Sequence, residues 1–184
     1  VYSIYWNVYD KTNKLNLDSA LIKFSIFNVN SGFLGREYNK TFSYITNYKG
    51  DNKPALFEVL FGEGYFILED TNEIKNVKII KVKRGNFVYV PEGFVFTIIN
   101  SSLDNTLVCL SVIGKNTKFV NSLENQGGAS LFFTKTGFVK NLNVEPSYKL
   151  ENYIGDYLRD SRDLNVSNQI DFNLQNLNFS KEKG

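Results

Sequence analysis

Short apolar runs, cut by Gly, Asn and Asp, fill the first three quarters of the chain. Ala20–Asn28 reads as a strand ended by the turn Asn30-Ser31-Gly32. Glu37–Tyr48 reads as a second, closed by Lys49-Gly50-Asp51-Asn52. Ala55–Phe61 is a third, and Gly62-Glu63-Gly64 marks a turn or bulge. Tyr65–Glu69 is expected to pair with Val77–Val82 across a polar hairpin. Phe87–Val90, Val95–Asn100 and Thr106–Ile113 continue the series. Leu131–Phe133 and Val139–Val144 form a further hairpin. Strands at such short spacing predict an all-β sandwich or barrel.

After Pro146 the period changes. Leu150, Ile154 and Leu158 recur every four residues, which predicts a short helix over Tyr148–Arg159. Ile170, Phe172 and Leu174 then alternate with polar residues, as in a strand with one buried face. The chain therefore divides into a barrel with N-terminal strands over residues 1–148 and a helix with an extended arm over 149–184.

Composition sharpens this picture by what is absent. Of 184 residues none is His or Met and one is Cys, while 16 are Phe and 11 Tyr. No intrachain disulfide can form, and Cys109, inside an apolar run, is expected to be a buried, inert thiol. Without Met, Val1 is not a start residue; an upstream segment, possible targeting signal included, is expected. The single Cys favours an intracellular protein. The formal charge of +2 gives no electrostatic reason to expect nucleic acid. No apolar run is long enough for a membrane helix. The sequons at Asn39, Asn100, Asn165 and Asn178 are what an Asn-rich chain produces by chance.

Residues 85–100 carry the most specific pattern. Gly85, Pro91, Gly93 and Asn100 fall at the spacing of G-x5-P-x-G-x2-H-x3-N, with Phe96 at the His position. This resembles the second motif of the cupins. Gly35–Thr46 and Pro54–Gly64 are similar to the matching stretches of the cupin-type (archaeal) glucose-6-phosphate isomerases, and the resemblance runs over roughly residues 5–148. It implies a double-stranded β-helix, or jelly-roll barrel, and a fair expectation of homodimers.

It also implies which positions would hold the family's metal. The two His of its first motif fall on Tyr44 and Thr46, its Glu on Ala55 and its later His on Phe96. The family's active-site His and Tyr fall near Phe119 and Asn121. Ala and Phe have no donor atoms, Thr offers a neutral hydroxyl, and a phenol is a poor ligand until ionised. Strand alternation turns Glu58 to the face opposite Ala55, so it does not replace the lost carboxylate. No cofactor or metal is expected. Tyr44 is the one matched residue able to carry a proton, and its ordinary state is a core aromatic with one hydrogen bond.

Two functions follow as expectations: a non-catalytic subunit binding protein partners in a homodimer or larger complex, with Ile170, Phe172 and Leu174 as interaction arm, or a metal-free module for a sugar phosphate or similar anion. In the second, Lys40, Thr41, Phe57 and Phe94 would form the pocket. A surviving isomerase using Tyr44 is the least favoured.

Overall fold

A computed structural model describes residues 1–9, 21–71, 76–123 and 128–143, and the backbone of two later strands. Among the described residues the strands run in order β1 Tyr2–Trp6, β2 Ile22–Val29, β3 Phe33–Leu34, β4 Glu37–Tyr38, β5 Tyr44–Tyr48, β6 Asp51–Asn52, β7 Ala55–Phe61, β8 Glu63–Asp70 and β9 Asn76–Lys83. They continue as β10 Asn86–Val90, β11 Phe94–Asn100, β12 Leu107–Gly114, β13 Lys118–Asn121, β14 Leu131–Thr134, β15 Gly137–Lys140, β16 Lys149–Asn152 and β17 Leu158–Asp160. Among the described residues there is no helix, and so none long and apolar enough to cross a membrane.

Three sheets result. One has the order β1-β2-β12-β7-β10-β17, and a second β13-β5-β11-β8-β9-β16 with β6 beside β5. The expected hairpin of Tyr65–Glu69 with Val77–Val82 is present in register, as β8 on β9. Alternate residues of the two large sheets face each other. Phe27, Phe57, Val59, Leu107 and Cys109 from the first meet Phe66, Leu68, Ile80, Phe96 and Ile98 from the second. This buried cluster is the barrel interior, and burial pushes the Cys109 thiol far above its usual range.

The third sheet, β15-β14-β4-β3, lies over the outside of the second. Leu131, Tyr38, Phe133 and Phe138 cover Ile67, Ile79, Ile99 and Tyr65 there. On the outside of the first sheet, Val8 packs with Phe24, Ile26 and Leu110. Strands β2 and β11 are therefore buried on both faces, and apolar residues occupy both faces of Phe24–Val29 and Val95–Asn100 instead of one.

Two glycines permit close approaches that no larger residue allows. A Cβ on Gly64 would stand 2.0 Å from the Ile99 carbonyl oxygen, and one on Gly62, whose φ is +81°, 2.4 Å from that of Thr106. This accounts for the Gly62-Glu63-Gly64 punctuation: the chain kinks there as it passes from the first sheet to the second.

Two expectations differ from the structure. Glu37–Tyr48 is not one strand, because Glu37–Tyr38 pairs within the outer sheet while Tyr44–Tyr48 belongs to the barrel. Between them Lys40 bridges Ile99, and Thr41 N–H donates to the Ile98 carbonyl. Alternation persists through the segment, but it does not reveal a change of hydrogen-bonding neighbour. Nor is the segment after Pro146 helical where it is described. Lys149–Asn152 pairs parallel to β9 and Leu158–Asp160 antiparallel to β10. Those edges offer rows of unpaired backbone groups, which outweigh a four-residue period. The arm at Ile170, Phe172 and Leu174, and the sequons at Asn165 and Asn178, lie outside the described residues.

Candidate functional site

The framework of the Gly85–Asn100 pattern is structural. Gly85 and Gly93 adopt φ of +85° and +83°, the left-handed region that favours glycine. Asn100 is fully buried at the end of β11. Its amide Nδ2 donates to the Val29 and Asn105 carbonyls at 2.9 and 2.8 Å, and its Oδ1 accepts Ser102 N–H at 2.9 Å. One carboxamide thus ties β11 to β2 and closes the turn before β12. The amide nitrogen of Asn39 likewise donates within the fold, to the Ser31 carbonyl at 2.8 Å.

The positions matched to metal ligands converge at one end of the barrel. Tyr44 and Phe96 are directly opposed on β5 and β11, with ring centroids 6.1 Å apart. Phe119 on β13 faces Thr46 across the next ladder, and Asn121 faces Tyr44. Ala55 is buried at the start of β7. The alternation argument holds on this strand: Ala55, Phe57 and Val59 point inward, while Glu58 is half-buried on the opposite face, where desolvation raises its carboxyl above the usual range.

Between these positions lies an aromatic cluster. The Phe57 ring stands 4.8 Å from Phe96, 5.5 Å from Phe27 and 5.2 Å from Phe66. Phe119 stands 5.2 Å from Phe27, 5.6 Å from Phe96 and 5.7 Å from Trp6. Most of these pairs meet edge to face, the favourable arrangement for aromatic quadrupoles, at about 0.5–1.5 kcal/mol per pair beyond burial. Tyr2 and Trp6 on β1 and Phe27 on β2 complete the cluster, and the sequence offered no marker for them beyond β-propensity.

The donor set does not fit a divalent metal. Phe96 and Ala55 have nothing to donate. Thr46 gives its hydroxyl proton to the Lys53 carbonyl. The Tyr44 hydroxyl is hydrogen-bonded to that of Tyr2 at 2.7 Å. Burial, then that bond, hold the Tyr44 phenol well above its ordinary pKa, and a protonated phenol is a poor metal ligand. No step through a metal is derived for this chain.

The residues of the expected anion pocket are not brought together. Phe57 is in the core, and Phe94 packs at its margin with the Lys78 ammonium 5.4 Å from its ring. Thr41 is buried, its Oγ1 accepting Ile98 N–H at 3.0 Å. Lys40 lies outside the barrel, 2.6 Å from Glu37 and 4.3 Å from the Phe132 ring centroid. Near it is a carboxylate that the sequence did not mark. Glu69 is 7% exposed, and its Oε1 accepts Ser130 N–H at 2.9 Å and the Ser130 hydroxyl, while its Oε2 is buried with no hydrogen bond. Desolvation raises its pKa, opposed by the Ser130 bonds and by Lys40. This pair pins the outer hairpin to the barrel.

Two facing sheets with alternate residues turned inward, and a converging set of positions at one mouth, define a cupin barrel. The glucose-6-phosphate isomerase (GPI) family model matches residues 1–149, and the chain belongs to that family. Comparison with curated proteins gives no match. Among solved structures, an oxalate oxidase in complex with the substrate analogue glycolate is similar at 12% identity and a TM-score of 0.52, over 68% of this chain and 57% of that one. A recombinant oxalate oxidase gives 12% and 0.50, over 65% and 54%. Vicilin from hazelnut, Corylus avellana, gives 16% and 0.47, over 65% of this chain but only 32% of its own. At identities this low, the two oxalate oxidases show a likeness of fold alone.

Proposed function

We propose that this chain is a metal-free, non-catalytic cupin that serves as a structural or protein-interaction subunit of a larger assembly. The observation that carries this reading is the aromatic filling of the mouth, with Phe96 and Ala55 at the ligand positions and the Tyr44 hydroxyl engaged by Tyr2. Sugar-phosphate isomerisation needs a base poised near neutral pH beside the substrate carbon. Glu58 faces away from the cluster, and Tyr44 holds its proton. Replacing a polar cluster by packed rings removes the desolvation cost of buried donors and favours the fold itself.

The test combines chemistry and mass. Purified protein offered manganese, iron or zinc, then dialysed, should retain less than one ion per chain and should not interconvert glucose and fructose 6-phosphates. In extract of its own cells it should elute well above the mass of a dimer, with defined companions. Chelator-sensitive isomerase activity, or a monomer or dimer mass in extract, counts against the reading. Isomerase activity that resists chelators and vanishes in Tyr44→Phe would instead establish Tyr44 as the proton carrier.

A further inference from the structure

We propose that the groove between the tips of the two outer hairpins is a binding site for a small organic anion with a phosphate or carboxylate head and an apolar body. The groove shares no lining residue with the aromatic cluster of the barrel, and the reading stands whether or not the chain acts as a structural subunit. The turn between β3 and β4, at Gly35-Arg36, and the turn between β14 and β15, at Lys135-Thr136, are set side by side by the pairing of Thr134 with Glu37. Between them lies a groove of about 570 Å³, within the usual range for small-molecule sites.

Its lining is one-sided in charge. Arg36 and Lys135 contribute two cations, and no carboxylate lines the groove. Glu37, next to Arg36 in sequence, is held by Lys40 at 2.6 Å. Among the described residues no ion pair engages Arg36 or Lys135. The Lys135 ammonium stands 4.9 Å from the Phe33 ring centroid, which draws it across the groove from one tip to the other. Thr134 holds its own tip in shape, bonding the Thr136 hydroxyl and the Gly137 carbonyl, each at 3.0 Å. Phe33 and Val139 supply apolar wall. Two cations and a hydroxyl suit an anionic head, and the Phe33 and Val139 surface suits the rest of the molecule.

The probe is phenyl phosphate, titrated into 15N-labelled full chain and followed by amide chemical shifts. Shifts confined to Gly35, Arg36 and residues 134–139 should saturate with a dissociation constant of about 3 mM, the order expected for so small a ligand. Inorganic phosphate and benzyl alcohol should each bind at least fivefold more weakly. A parallel benzoate titration tells a phosphate-preferring site from a carboxylate-preferring one, and saturation by either supports the proposal. Arg36→Gln and Lys135→Gln should each weaken binding several-fold while leaving all other amide shifts in place, since both side chains are exposed. Shifts spread over the basic surface, equal binding of inorganic phosphate, or indifference to both substitutions would overturn it.

Discussion

Phe96→His returns the ligand type that the Gly85–Asn100 pattern expects, and it separates a filled pocket from a latent metal site. Phe96 is fully buried, ringed by Phe57 at 4.8 Å, Phe119 at 5.6 Å, and Phe27 and Tyr44 at 6.1 Å. Imidazole loses much of the roughly 1.5–3 kcal/mol that burying a Phe contributes. It also brings an N–H into a wall of rings, and an unsatisfied buried donor costs about 1–3 kcal/mol. The sum is about 3–5 kcal/mol. With a urea slope near 2 kcal/mol per molar, the unfolding midpoint should fall by about 2 M. A buried neutral imidazole is charged only after unfolding, so the loss should deepen as pH falls below about 6.5. Urea titrations of wild type and variant, with and without 1 mM zinc, provide the assay. A site with a dissociation constant of 10 µM would return about 2.7 kcal/mol, more than 1 M of midpoint. No such return is expected, because Ala55 and Thr46 bring no further lone pair aimed at the metal. Zinc-dependent recovery of 1 M or more, or a variant as stable as wild type, would refute the reasoning.

Three other outcomes follow from the same structure. Gly64→Ala should destabilise by about 3 kcal/mol or more, measured by urea unfolding, because its Cβ would meet the Ile99 carbonyl oxygen at 2.0 Å and the Leu107 side chain at 2.8 Å; a change below 1 kcal/mol would mean that β8 and β11 are less closely apposed. Glu69 keeps its proton to higher pH in the fold than in the unfolded chain, so stability is fullest below the ordinary Glu range near 4.5 and falls as pH rises through the raised value. Glu69→Gln should flatten that fall and cost no more than about 1 kcal/mol at pH 7, and an unchanged pH profile by urea unfolding would contradict it. Tyr44 is also raised, so the fold loses stability as pH climbs past about 10; Tyr44→Phe should reduce that slope and cost about 1 kcal/mol at pH 7 through the lost Tyr2 bond, with absorbance at 295 nm showing one fewer late-titrating phenol.

The sequence by itself determined the barrel. Period-two alternation in Ala55–Val59 and Tyr65–Glu69 suffices to place each residue on the inner or outer face, because side chains on a strand alternate short of a bulge; the irregularity between Val59 and Phe61 breaks the rule and leaves Phe61 exposed. The same local rule put Glu58 outside and Ala55 inside. The donor chemistry at Tyr44, Thr46, Ala55 and Phe96 was equally legible, since it depends on residue type alone. Whether those positions meet did not lie in any local pattern. Their convergence, and the closing of the mouth by Tyr2, Trp6 and Phe27, depend on which strands become neighbours, a matter of long-range pairing across 40 residues or more. Lys40 shows the limit most clearly. Next to Thr41 in sequence it stood for a pocket residue, yet alternation and a change of sheet turn it outward to Glu37 and Phe132. The strands at Lys149–Asn152 and Leu158–Asp160 had no local signal at all, because free edges of β9 and β10 recruited them. Local periodicity sets which way a side chain faces; only the assembled sheets decide what it faces.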